Sequence, residues 1–233
     1  MEFPSATLEF VHQLCHQFCE QVGKAMKFSL TVESSGLALV DHYLSLARTE
    51  TRVAVLQLLA AGAGAYFGEL VRQEIGGFWI GDGKDPRRLR FLLDVQPIFF
   101  APFDIAYESI LFEPLAQDDP RHPEGPTLDT EIHVGSIRTN DKGPSTSTNE
   151  FARPRLGESN PDRELISEQE WVRQRLDEIA PVNDEEFYSL TGRYETLTLI
   201  ISLLTNKHVS EGRQPHKYVL EDYLSLLTMK NPS

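Results

Sequence analysis

The sequence predicts a helix-dominated α+β fold, and three observations carry that expectation. Apolar residues recur at three- and four-residue steps through several long segments. Glycines and prolines punctuate one short region of alternating apolar runs. A single long stretch in the second half carries no periodicity at all.

Thr7 to Lys27 places Leu8, Val11, Leu14, Cys15, Phe18, Cys19, Val22 and Met26 on one helical face. Phe28 to Val32 alternates briefly and predicts a short strand. Ser34, Ser35 and Gly36 then offer a cap for a helix through Leu46. Thr49 to Ile75 reads as the long central helix, closed by Gly76 and Gly77. Along it Ala60, Gly64 and Gly68 share a face at four-residue steps, which lets another element approach closely.

Phe78-Trp79-Ile80 and the run Leu89 to Val95 flank Gly81-Asp82-Gly83, a pattern that predicts a β-hairpin beneath that helix. Pro102 to Leu111 has helical spacing with its proline in the first turn. From Gln117 to Pro161 the periodicity is lost, and six of the fourteen prolines and four glycines fall there. An irregular insertion is expected. Ser167 with Glu170, and Asn183 with Glu186, have the spacing of helix starts, the second helix running to about Lys207. Tyr218 to Leu227 supplies a last helix. The division expected is 1–116 as a helical and hairpin part, 117–163 as a Pro/Gly/Ser-rich insertion, and 164–233 as C-terminal helices completing the same single domain.

The chain has 233 residues, ample for a packed core without staples. Its net charge of -13 repels phosphate backbones and anionic lipid, so neither a nucleic acid nor a membrane is an expected partner. Two cysteines give no disulfide framework, and Glu2 and Glu9 stand where a signal peptide carries positive charge. A cytoplasmic location is expected. The most apolar stretch, Val53 to Val71, contains Gln57 and Glu69 and is Ala/Gly-rich, which suits a buried helix better than a membrane span.

Four groups of residues invite a functional reading. His12, Cys15, His16 and Cys19 are zinc-ligand types, but one straight helix cannot wrap four ligands around a tetrahedral ion, and core packing explains the cysteines. Gly81-Asp82-Gly83-Lys84-Asp85 fails as a phosphate loop: Phe78 stands where the first glycine belongs and Asp85 where Ser or Thr belongs. A turn is expected. Lys84, Arg87, Arg88 and Arg90 suit a charged edge strand, and Asp177, Glu178, Asp184, Glu185 and Glu186 suit helix starts. Hydrolase nucleophile and zinc-protease motifs are missing from the sequence. No catalytic, cofactor-binding or metal-ligating residue is therefore assigned, and no cofactor is expected.

Ala65-Tyr66-Phe67-Gly68-Glu69 with Gly76-Gly77-Phe78-Trp79, and Glu186-Phe187-Tyr188-Ser189-Leu190-Thr191-Gly192-Arg193-Tyr194-Glu195, resemble boxes in a loose group of uncharacterised bacterial proteins. The resemblance covers roughly Glu50 to Phe112 and Asp184 to Leu204. It implies a bacterial cytosolic origin and transfers no catalytic residue, because the group has no assigned activity. Read physically, Arg193 can reach back to Ser189 or Glu186 or across to another element, and a structural ion pair is expected of it. The functional expectation is a non-catalytic protein-interaction or regulatory module with a protein partner. The alternative is a small-molecule-binding enzyme with its site between the hairpin and the central helix.

Overall fold

A computed structural model describes residues 5–116, 118–123, 125, 131–135, 167–179 and 183–229. The fold is α+β and dominated by helices, with a four-stranded antiparallel sheet in the order β1-β2-β3-β4.

Helix α1 (Ser5–Met26) buries Val11, Cys15, Phe18 and Val22, the stripe its periodicity predicts. It stops at Lys27, which takes a positive φ of 55° while Phe28 N donates back to Gly23 O. The strand expected over Phe28 to Val32 does not form. The Tyr66 hydroxyl instead lies 3.1 Å from Thr31 O and 3.0 Å from Glu33 O, so a side chain takes the place of a neighbouring strand. Nor do Ser34 and Ser35 cap the next helix. Ser34–Gly36 is a single 3-10 turn, and Ser34 N donates to Glu74 Oε1 before α2 (Leu37–Ser45) begins.

Helix α3 (Val53–Glu74) starts four residues later than expected. The Glu50 carboxylate accepts from Thr51 N, Arg52 N and the Arg52 guanidinium, which fixes a turn where the first helical turn was expected. From Leu59 to Val71 every residue of α3 is buried. Among the described residues it alone is long and apolar enough to cross a membrane, and 72% of its apolar window is buried inside the protein. The small-residue face does pack closely. A Cβ on Gly64 would lie 2.7 Å from Pro102 O, and one on Gly68 would lie 2.2 Å from the Trp79 ring.

Gly76 and Gly77 close α3 at positive φ and turn the chain into the sheet. Strand β1 (Phe78–Ile80) pairs with β2 (Arg90–Leu92) in the register Trp79↔Phe91, the expected hairpin. Two further strands were not foreseen: β3 (Ile98–Phe100) on β2, and β4 (His133–Val134) on β3. The second falls inside the stretch expected to be irregular. Ile132, His133 and Val134 are buried there, while residues 136–166 lie outside the described ones. Among the described strands β4 is one of the two edges, and Gln169 blunts it by accepting from Val134 N and donating to Ile132 O.

Strand alternation splits the apolar residues between two cores. Trp79, Phe91, Ile98, Phe100 and Val134 join the main core with α1 and α3, and Phe78, Ile80, Leu92 and Phe99 face the other way. Helix α4 (Pro102–Leu111) lies in the main core with all ten residues buried, and Phe112 closes it in the left-handed region.

Ser167 and Asn183 cap α5 (Glu168–Asp177) and α6 (Asp184–Tyr188) through the bonds their spacing predicts. The single helix expected from Asn183 onward is two, because Ser189 is extended and its hydroxyl accepts from Gly192 N to start α7 (Leu190–Ser210). Helix α8 (Leu220–Met229) covers the outer face of the sheet.

Candidate functional site

Buried charge is rare in a core, and α4 carries two buried carboxylates, Asp104 and Glu108. A helix with every residue buried must satisfy its polar side chains within the protein. Glu108 is fully enclosed, and its Oε2 accepts from Arg193 Nη2 at 2.5 Å while Oε1 accepts from Leu115 N at 2.9 Å. The Arg193 guanidinium also lies over the Phe187 ring, 4.7 Å from its centroid. Thus the second sequence box folds onto α4 as one clamp. Arg193 reaches across to another element, one of the routes expected of it.

One turn earlier, Asp104 faces the hairpin connection. It lies within electrostatic reach of Arg87 and Arg90, and burial pulls the Arg90 guanidinium below its ordinary value against the pull of Asp104. On the same helix Tyr107 donates to Arg121 O at 2.5 Å. Its ring meets His122 edge to face, centroids 4.6 Å apart, with Phe103 closing another side. His122 is fully buried, and neither ring nitrogen has a hydrogen-bond partner among the described residues. Burial lowers its basicity; its own backbone opposes that, and the Arg87 charge and the Asp119 carboxylate pull in opposite directions, leaving the net shift downward. Asp119 holds the turn: it binds Arg121, which lowers the carboxyl below its usual value.

A second polar locus lies under α3. Glu69 is buried, accepts from Trp79 Nε1 at 2.7 Å, and holds Arg72 through both carboxylate oxygens, with His12 Nε2 at 3.4 Å. The indole fills the space between hairpin and helix.

The groups singled out in the sequence are dispersed by the fold. Of the His/Cys set, Cys15 is buried and Cys19 half-buried. Their thiols hydrogen-bond to each other, which raises Cys15 and lowers Cys19. His12 turns to Glu69 and His16 to Glu20, so the four do not converge. Among the described residues no group of three or more metal-ligating side chains gathers.

In the glycine-rich turn, Asp82 accepts from Lys84 N and Asp85 N, and Gly83 has a φ of 66°. The basic group corrects the edge-strand expectation. Strand β2 is interior, paired on both sides, and Arg90 is half-buried on it, donating to Arg87 O and Leu89 O. Arg87 and Arg88 are paired with Asp85 and Asp82. Of the acidic group, Asp184, Glu185 and Glu186 do open a helix, but Asp177 and Glu178 end one, and Arg175 offsets Glu178 at 2.8 Å.

Sequence reading missed two further carboxylates. Asp41 of α2 accepts from Leu190 N, Thr191 N and Thr191 Oγ1, capping α7 from another helix. Burial raises its pKa, and those bonds oppose the rise. Glu168 gathers Arg213 at 2.7 Å, His208 at 3.1 Å and Lys207 at 3.5 Å. Neither carries a local signal of its distant partners.

Comparison with protein-family models, with curated proteins and with solved structures yields no match for this chain.

Proposed function

We propose that the protein is a non-catalytic protein-interaction or regulatory module that works through a protein partner. The observation that supports this best is where the buried charge goes. Glu69, Glu108, Asp41 and Glu168 are each engaged by two or three donors from other segments, so their role is to join elements. A general acid or base must instead reach a substrate proton.

The competing reading, a small-molecule-binding enzyme between hairpin and central helix, needs room that is already taken. Trp79 stands against Gly68 there and meets Phe91 with ring centroids 5.2 Å apart. The net charge of -13 favours solubility and a partner with a basic surface. A bacterial, cytoplasmic setting belongs to the same proposal and rests on the two sequence boxes.

The test is affinity capture with the tagged full chain from cytosol, read by mass spectrometry, alongside a substrate screen with the purified protein. One partner recovered in stoichiometric amount, with no turnover, is expected. Turnover that disappears in Glu69→Gln or His122→Asn would sink the proposal.

A further inference from the structure

Two histidines of α1 take no part in the core. His12 and His16 lie four positions apart on the outer side of the helix, with side chains 51% and 75% exposed. Four positions advance a helix by about 400°, so the two rings leave it in nearly the same direction, their Cβ atoms about 5 to 6 Å apart.

Each ring turns one nitrogen toward a carboxylate. His12 Nε2 lies 3.4 Å from Glu69 Oε2, and His16 Nε2 lies 3.4 Å from Glu20 Oε1. Among the described residues neither Nδ1 is taken by a hydrogen bond or an ion pair. A metal-ligating imidazole commonly gives its second nitrogen to a carboxylate, which sets the ring's orientation and strengthens it as a ligand. Glu69 suits that task because it comes from another helix and is itself fixed. It is buried, accepts from Trp79 Nε1 at 2.7 Å and holds Arg72 through both oxygens. The backbone beneath the pair is equally firm, since Val11, Cys15 and Phe18 are buried on the inner side and Phe18 stands against Gly62 of α3.

We propose that His12 and His16 form a two-imidazole chelate for a divalent transition ion of the nickel, copper and zinc class, with water in its remaining positions. Imidazole nitrogen selects these ions over Mg2+ and Ca2+, which take oxygen ligands. Histidines at this spacing on one helix face also supply the paired ligands of zinc sites. A net charge of -13 adds a field that attracts cations. The chelate differs from the four-ligand centre weighed in the sequence: Cys15 is buried and Cys19 half-buried on the inner side, so it uses neither thiol. Two protein ligands hold an exchangeable ion, which suits a regulatory input better than a structural staple. The site stands independently of the protein-partner reading above.

Calorimetric titration of the full chain with nickel chloride tests it, nickel being chosen because it does not oxidise thiols. One saturable equivalent is expected, undiminished by excess magnesium chloride. His12→Ala or His16→Ala alone should weaken binding about tenfold or more, since a single imidazole forfeits the chelate. His16 is well exposed, so its variant keeps the fold and carries the test. His42→Ala, which removes another exposed histidine, and Cys19→Ser should each leave the titration unchanged. Nickel should also raise the melting temperature of the wild type and not that of His16→Ala. No saturable binding, binding that survives His16→Ala, displacement by magnesium, or loss in Cys19→Ser would each overturn the two-histidine site.

Discussion

Glu108 and Arg193 are 85 positions apart in the chain and meet in the core at 2.5 Å, carboxylate to guanidinium. Removing one partner leaves the other charged and buried. Glu108→Leu or Arg193→Met alone should therefore cost about 3 to 5 kcal/mol, and the double variant clearly less than the sum. Urea unfolding of the four proteins measures the coupling. Additive losses would mean that each side chain is held by something else.

Gly68 and Trp79 make a second testable pair. A methyl group at 68 collides with the indole, so Gly68→Ala should cost about 1 to 3 kcal/mol. In a Trp79→Leu background the same change should cost much less, since the colliding ring is gone. Melting temperatures decide it, and an equal penalty in both backgrounds would contradict the packing described.

His122 gives a pH prediction with a definite sign. Burial, with Arg87 nearby, holds the folded imidazole below its ordinary value of 6.5, so the unfolded chain takes up the proton first as pH falls. Its contribution to stability is whole above about pH 6.5 and is lost as pH drops through the lower folded value. His122→Phe should flatten the stability curve below pH 6.5 and cost little at pH 8, because both ring nitrogens lack described partners. A variant whose curve parallels the wild type would show that another group titrates there.

Glu168 has the opposite chemistry and the same direction. Burial raises its pKa, but Arg213, His208 and Lys207 outweigh that, and the net shift is downward. The stabilisation is present above the ordinary carboxylate value of 4.5 and disappears as pH falls through the folded one. Arg213→Gln should accordingly destabilise at pH 7 and matter progressively less as pH falls below 4.5, as denaturant titrations across that range would report.

Asp41 caps α7 from α2, and caps of this kind contribute about 0.5 to 2 kcal/mol. Asp41→Ala should lower stability by that amount and loosen the amides of Leu190 and Thr191 in hydrogen exchange. Unchanged protection at those two positions would remove Asp41 from its capping role.

What the sequence made legible was whatever is decided within a few residues. Ser167 and Asn183 announce their helices through a partner three positions on, Gly76 and Gly77 mark a stop by their own backbone freedom, and Gly68 is read from its spacing to Ala60 and Gly64. Strands β3 and β4 have three and two residues, too few for alternation to register; β3 extends the edge of β2, and β4 that of β3. Ser189 breaks a helix whose apolar pattern runs on past it: its hydroxyl caps Gly192 N, and Asp41, 149 positions away from Leu190, accepts the next two amides. The polar clusters on α4 follow the same rule. Asp104 and Glu108 look like an ordinary helix until Arg90 and Arg193 arrive.

That arrival has a schedule. Synthesis at about 5 to 20 residues per second puts Arg193 roughly 4 to 17 s behind Glu108. Until then, a nascent chain already long enough to form α1, α3 and the first strands carries a carboxylate at the centre of its future core with no countercharge. Burying that carboxylate before its partner is made would leave it without its charged donor, which opposes closing the core around it. The contact thus ties the burial of an α4 carboxylate to a residue translated 85 positions later.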